Sequence, residues 1–289
     1  MAKVLILGSQ GNLGSILVRD FSTDYEVISW DKEDVDITDE DLVNHKIKEI
    51  KPDFIINTAS YNAVDKCEED KKEFELAQKI NGEAVGFLAQ AALESGAVLV
   101  HYSTDHVFAG DKEKGYCEND RPGPINHYGK TKLMGEQEII KRSGRGLKWY
   151  LIRTSKLFGP KGNNPDAKPS FFDLVLRLTR EKEELKMIKG EEISCFTYTR
   201  DLSQATKNIL ETRMPYDIYH LTNTGPASWH EGARYLLELK NIKNIKLKPI
   251  SSKEYIRPAQ RPKYSVLLNT KLESLRSWQE ALREYYSRK

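Results

Sequence analysis

Apolar residues in the first half of the chain come in short runs rich in Val, Ile and Leu. Longer stretches separate them, in which apolar positions recur every three or four residues. Short runs of that kind read as strands buried on both faces, and the longer stretches as amphipathic helices. The pattern predicts strands at 4–7, 26–30, 54–57, 98–102 and 149–153, and helices at 11–20, 40–50, 74–95 and 128–143. Such alternation marks a parallel sheet covered by helices. After Arg153 the regularity degrades, and turn residues crowd into the loop-like segment FGPKGNNP at 158–165. Beyond it the pattern predicts helices at 169–183, 200–211 and 228–239 and a strand at 218–221. The expected fold class is therefore α/β, a doubly wound parallel sheet with a smaller, mixed C-terminal lobe.

Composition narrows the function classes. Hydrophobic residues make up 39% of the 289 and charged residues 30%, as in an ordinary globular protein. The formal charge of +2 leaves no global polycation to attract nucleic acid. The apolar run at 4–7 stops at Gly8, too short for a signal-peptide core or a membrane span, which predicts a cytoplasmic protein with no membrane partner. Cys67, Cys117 and Cys195 are widely spaced, which suits reduced thiols, and neither they nor His101, His106 and His127 form a metal-ligand pattern, so no metal site is expected.

Chemistry first enters at Gly8-Ser9-Gln10-Gly11-Asn12-Leu13-Gly14, between the first strand and the first helix. Glycines there permit a tight turn and close backbone approach to a pyrophosphate, which the helix N-terminus attracts. The spacing is Gly-x-x-Gly-x-x-Gly, and its position opening a βαβ pattern makes it a dinucleotide turn of the Rossmann type. Asp31, about 20 residues on, stands where a carboxylate bonds the ribose hydroxyls, and it leans toward NAD because it would repel the extra phosphate of NADP. Lys32 beside it blunts that preference. Asp36 and Ile37 are placed to lie against the adenine, although the acidic run through Asp41 also fits a helix cap. Residues 1–155, with about 194–222 returning to them, are then the dinucleotide-binding domain, and about 156–193 and 223–289 the substrate lobe.

A second constellation lies further on. The strand at 98–102 runs into Ser103-Thr104-Asp105, at a sheet edge where substrates bind, although turn and capping chemistry fits the same residues. Tyr128 opens a helix and Lys132 follows one turn later on the same face. The spacing alone also fits a solvated pair, since Tyr285 and Lys289 repeat it at the chain's end. Tyrosine, with an ordinary pKa of about 10, is a sluggish acid at neutral pH. A nearby ammonium and a nicotinamide's positive charge would favour the phenolate and bring that pKa down. Thr104 would then orient a carbonyl and Tyr128 protonate the new alkoxide.

The segments PDFIINTASYNAVDKCE, VHYSTDHVF, YGKTKLMGE, IRTSKLFG with GNN following, and RPAQRPKYSVLLNTKL resemble those of the extended short-chain dehydrogenase/reductases, and within them the dTDP-4-dehydrorhamnose reductase family. The resemblance covers nearly the whole chain. It implies NADPH or NADH as cofactor and reduction of the 4-keto group of a nucleotide-linked 4-keto-6-deoxysugar. It places Thr104, Tyr128 and Lys132 at the catalytic positions. Gly8, Gln10, Gly11, Asn12, Leu13, Gly14, Asp31, Asn57, Thr58, Ala59, Tyr61 and Tyr102 fall in or beside the cofactor segments. Ser103, Thr104, Asp105, Lys156 and Asn163 fall toward the substrate, and Arg261 offers a guanidinium fork for a substrate phosphate. Some members dimerise, with magnesium, so a homodimer is expected. The chain departs from the family at Ser60-Tyr61-Asn62, at Lys156, where a tryptophan or other bulky residue is usual, and at 191–199, all toward the nucleotide-sugar. A non-catalytic NADP-binding protein like the methionine adenosyltransferase β subunit, or a nucleotide-sugar epimerase or dehydratase, are the alternative readings.

Overall fold

The computed structural model describes residues 1–165 and 167–288. The apolar runs become the strands β1 (Lys3–Leu7), β2 (Glu26–Trp30), β3 (Phe54–Asn57), β4 (Val98–Thr104) and β5 (Lys148–Thr154), and β6 (Ile218–His220) completes the sheet. Their spatial order is β2-β1-β3-β4-β5-β6, with every pair parallel. The order reverses between β1 and β3, and a crevice opens at such a switch point outside the strands' carboxyl ends. Gly8 and Thr58 stand there.

Helices cover both faces. On one, α2 (Glu40–Ile50) and α5 (Ala84–Ser95) bury Val43, Ile47, Leu88 and Ala92 against Leu5, Ile55 and Leu99. On the other, α1 (Gly14–Phe21) and α8 (Thr199–Glu211) bury Leu17, Phe21, Leu202 and Ile209 against Ile6, Val100 and Ile152. The helix predicted at 74–95 is interrupted. Short α3 (Val64–Glu69) and α4 (Lys71–Gln78) precede a π-helical turn at Lys79–Glu83, and only then does α5 begin. Single π-turns recur at functional sites. The long α6 (His127–Ser143) lies beside them and carries the Tyr128 segment.

A separate core forms from Phe158, Phe172, Phe196, Tyr198, Trp278 and Tyr285. It packs α7 (Phe171–Leu178), α9 (Trp229–Leu239) and α10 (Trp278–Ser287). The helix predicted at 169–183 stops at Leu178, and Glu184–Ile188 instead pairs in parallel with Lys246–Ile250. Tyr285 packs in this core and donates to Asp173, 2.8 Å away, so the terminal tyrosine is structural. Its sequence partner Lys289 lies outside the described residues. No described helix is long and apolar enough to cross a membrane.

Candidate active site

The glycine turn is built as expected and then braced from two sides. Gly8 takes φ +71°, and a Cβ there would meet the Ala59 nitrogen at 2.7 Å, so no larger residue fits between β1 and β3. Thr58 Oγ1 donates to the Leu7 carbonyl at 2.7 Å and to that of Gly8 at 3.1 Å. Gly11 closes the turn onto the Gly8 carbonyl at 3.0 Å, and Gly14 begins α1. The resulting cradle, open to backbone N–H groups at a helix start, suits a pyrophosphate.

Asp31 reaches this turn, accepting from the Gln10 nitrogen at 3.0 Å, and thereby fixes its shape. On the opposite side lies the loop after Phe158. Asn12 Oδ1 accepts from the Gly162 nitrogen at 2.8 Å, and Gln10's carbonyl from the Asn164 nitrogen at 3.0 Å. Asn12's side chain is thus a strap to that loop. Asn163 is exposed between those two contacts. Leu13 packs into the core.

Several other expected cofactor residues serve the frame. Asp36 accepts from both the nitrogen and the hydroxyl of Thr38, which hold its carboxyl below the usual range, and Ile37 is buried against Val43 and Leu5. Asn57 is buried, and its amide spans His101 Nδ1 at 3.1 Å and the Ala59 nitrogen at 3.0 Å. Tyr102 sends its hydroxyl into the core toward Thr206, 2.6 Å away, so only its backbone faces the site. Tyr61 donates its hydroxyl to Glu73, and its ring packs beside Tyr128.

Sequence reasoning missed Asn81 and Asn126. Asn81, fully buried in the π-turn, accepts from the Tyr61 nitrogen (2.9 Å) and Ser60 (3.0 Å) and donates to Thr131 (3.0 Å) of the Tyr128 helix. An Asn-Gly dipeptide inside a helical run was the available signal. Asn126, also fully buried, caps α6 by accepting from the Gly129 nitrogen at 2.8 Å. Its amide nitrogen donates to the Gln260 carbonyl at 2.8 Å and lies 3.1 Å from His106 Nδ1.

These braces bring Thr104, Tyr128 and Lys132 together at the end of β4. Gly129 makes the approach possible, since a Cβ there would lie 2.2 Å from the His106 carbonyl. Burial pushes the Tyr128 hydroxyl well above its ordinary pKa; the nearby Thr104 hydroxyl opposes this and the Asp105 carboxylate adds to it, while the phenol itself donates to Asn62 Oδ1 at 3.5 Å. The protein's own groups therefore keep the phenol protonated. Lys132 Nζ donates to the Tyr102 carbonyl at 2.7 Å, and burial lowers it to about 8 against the opposing charge of Glu136. Burial, and not the lysine's charge, thus dominates the tyrosine in this chain. Thr104 Oγ1 also donates to Asp105 Oδ1 at 3.2 Å and caps the following turn by accepting from the His106 nitrogen.

Beneath this trio, Ser103 donates to Glu136 at 2.5 Å, which places its hydroxyl in a buried layer and not toward substrate. Arg153 grips the same carboxylate at 2.9 and 2.6 Å. Asp105 accepts from Ser265 at 2.6 Å at the edge of the crevice. Arg261, expected to meet a phosphate, is instead held by Asp65 of α3 at 2.7 and 2.8 Å. Lys156, in left-handed backbone at φ 38°, donates to the carbonyls of Glu192 (2.6 Å) and Ala227 (2.9 Å).

The chain is similar along its whole length to proteins of known name. It is 36% identical to the spore coat polysaccharide biosynthesis protein SpsK of Bacillus subtilis, over 99% of this chain and 97% of that protein. It is 33% identical to the dTDP-4-dehydrorhamnose reductase of Burkholderia thailandensis, over 94% and 92%. Among solved structures, the dTDP-4-dehydrorhamnose reductase of Bacillus anthracis in complex with NADP superposes with a TM-score of 0.91 at 35% identity, covering both chains in full. The UDP-glucose 4-epimerase of Thermus thermophilus, at 22% identity and a TM-score of 0.79, shares the fold. The RmlD substrate binding domain family matches residues 2–289, and the chain belongs to it.

Proposed function

We propose that this protein reduces the 4-keto group of a nucleotide-linked 4-keto-6-deoxysugar, dTDP-4-dehydrorhamnose or a close relative, using NADPH or NADH. The convergence of Thr104, Tyr128 and Lys132 beside a glycine cradle carries the reading, and the named reductases among its relatives support it. The same trio favours an enzyme over a non-catalytic cofactor-binding subunit. Residues 1–155 and 194–222 form the cofactor-binding part in this reading, and 156–193 with 223–289 the substrate-binding part. The homodimer implied by the resemblance belongs to the same reading, and light scattering of the purified protein tests it.

A reduced nicotinamide dinucleotide, when bound at the cradle, supplies the hydride. The chain's own residues do the rest. Gly8, Gly11 and the start of α1 would hold the pyrophosphate, with Asp31 and the Asn12 strap fixing the turn. Thr104 presents its hydroxyl to the carbonyl oxygen, and Tyr128, kept protonated by burial, donates its proton to the alkoxide as it forms. Lys132 is held in place by the Tyr102 carbonyl, where its ammonium favours the phenolate left behind.

The test mixes purified protein with several nucleotide-linked 4-keto-6-deoxysugars and each reduced cofactor, following loss of nicotinamide absorbance. Turnover is expected with at least one sugar, and Tyr128→Phe should lower kcat by about 100-fold or more. No turnover on any sugar, or undiminished rates in Tyr128→Phe, overturns the reading.

A further inference from the structure

Lys156 is held in a way that ordinary packing does not call for. Just past β5 it takes left-handed backbone, φ 38°, a conformation that a residue with a side chain rarely adopts. Glu192, whose carbonyl accepts from its ammonium, is left-handed too, at φ 54°. Two strained residues are thus bonded to each other, and aromatic rings wall the ammonium in, with Trp229 at 4.4 Å and Phe196 at 5.1 Å from Nζ. Glu192 itself is fastened by Trp229 Nε1, at 2.9 Å, and by Arg257. The whole assembly fixes one cation.

The position of that cation relative to the chemistry follows from Asp105. Its Oδ1 accepts from Thr104 and its Oδ2 from Ser265, whose backbone nitrogen donates to the carbonyl of Ile193, the residue after Glu192. Asp105 therefore stands between the reacting end of the site and the lysine. An ammonium has three N–H donors, and two of them are taken by the carbonyls of Glu192 and Ala227. Neither acceptor is a carboxylate; the carboxylates of Asp105, Glu192 and Glu231 act on the ammonium through their charge alone. Lys156 also keeps partial exposure, as a group lining a crevice does.

Resting on the reductase reading above, we propose that Lys156 is a specificity-determining residue. It donates its third N–H to a ring hydroxyl oxygen of the sugar next to the 4-keto group, and so selects sugars that keep that hydroxyl over their deoxy counterparts. A site built to bond a hydroxyl rejects the analogue lacking it, because its buried donor is then left unpaired.

The experiment compares kcat/KM for dTDP-4-keto-6-deoxy-L-mannose with that for its 3-deoxy analogue, the 2-deoxy analogue serving as control, in wild type, Lys156→Met and Lys156→Gln. Wild type should prefer the full sugar over the 3-deoxy analogue by about ten-fold or more. Lys156→Met should collapse that ratio toward one, and Lys156→Gln, a neutral donor, should keep part of it. Cofactor fluorescence shows whether each variant is folded, and Lys156→Gln decides the matter if Lys156→Met is not. An unchanged ratio in the variants, or no discrimination by wild type, overturns this proposal while leaving the reductase reading standing. Failure of wild type on every sugar removes both.

Discussion

The layer under Tyr128 and the wall around Lys156 both bury charge, and they do so by opposite means. Under the tyrosine, Arg153 and Glu136 are 1% and 0% exposed and meet in a two-pronged ion pair, with Ser103 completing the carboxylate's shell. That pair joins β5 to α6, and Ser103 adds β4; β4 and α6 carry Thr104, Tyr128 and Lys132. Around Lys156 the cation has backbone carbonyls and ring faces in place of a carboxylate, on strained backbone. A fully paired network specifies one arrangement. A cation held by carbonyls leaves a donor for something else. In the proposed reading, the difference separates the part of the site that fixes the reaction from the part that reads the substrate.

The largest effect tests the first half of that contrast. Arg153→Met leaves Glu136 buried without its partner, which should cost about 3–5 kcal/mol of stability in urea unfolding. The double variant Arg153→Met with Glu136→Gln removes both charges and should recover much of it. A double variant no more stable than the single would show that the pair is not what holds the layer.

How much of this was legible in the sequence follows the same division. Val4, Ile55 and Leu99 have neighbours of like kind, so their strands and the glycine turn could be read from local pattern. The trio was legible because Tyr128 and Lys132 sit one helical turn apart and Thr104 ends a strand. The side chains that turn away from the crevice share a cause. Tyr102, Ser103 and Asn57 were assigned by where they fall in the chain, yet a side chain's direction depends on partners far away, Thr206, Glu136 and His101. Asn81 and Asn126 offered only local signals, an Asn-Gly pair and a helix cap, whereas their bracing partners Thr131 and Gln260 lie 50 and 134 residues away. Arg261 looked like a phosphate ligand because nothing in its own segment announces Asp65.

The next effect places one lysine from each region side by side. Lys132 and Lys156 are each lowered to about 8, mainly by burial. Below that pH the folded and unfolded chains both hold these protons. Above it the folded chain releases them while the unfolded chain keeps them to about 10.4. Stability should therefore rise with pH from about 8 to 9, on the order of 1 kcal/mol per pH unit for each lysine. Above about 9 the rise is opposed by Cys67 and Cys195, which burial pushes up to about 11, since the unfolded thiols ionise first. Urea midpoints at pH 7.5, 8.5 and 9.0 check this. Lys132→Met and Lys156→Met should each remove about half of the rise, and a flat profile in wild type would contradict the burial of both.

The smallest effect concerns Arg261, the residue whose sequence and structural readings differ most. As a substrate ligand, its loss should raise KM by ten-fold or more, and Asp65 should be irrelevant. As half of an ion pair, it fastens the loop at 257–262 to α3. Asp65 then matters equally, and its carboxyl, raised by burial but lowered more by the Arg261 hydrogen bond and charge, stays below its usual range. The pair is partly exposed, with Asp65's side chain 38% accessible, so its coupling should be no more than about 1 kcal/mol. Arg261→Ala, Asp65→Asn and the double variant should therefore destabilise by similar small amounts. Their effects should not add, and KM should shift less than about three-fold in all three. A KM rise confined to Arg261→Ala would return the arginine to the substrate and move the boundary between the two regions.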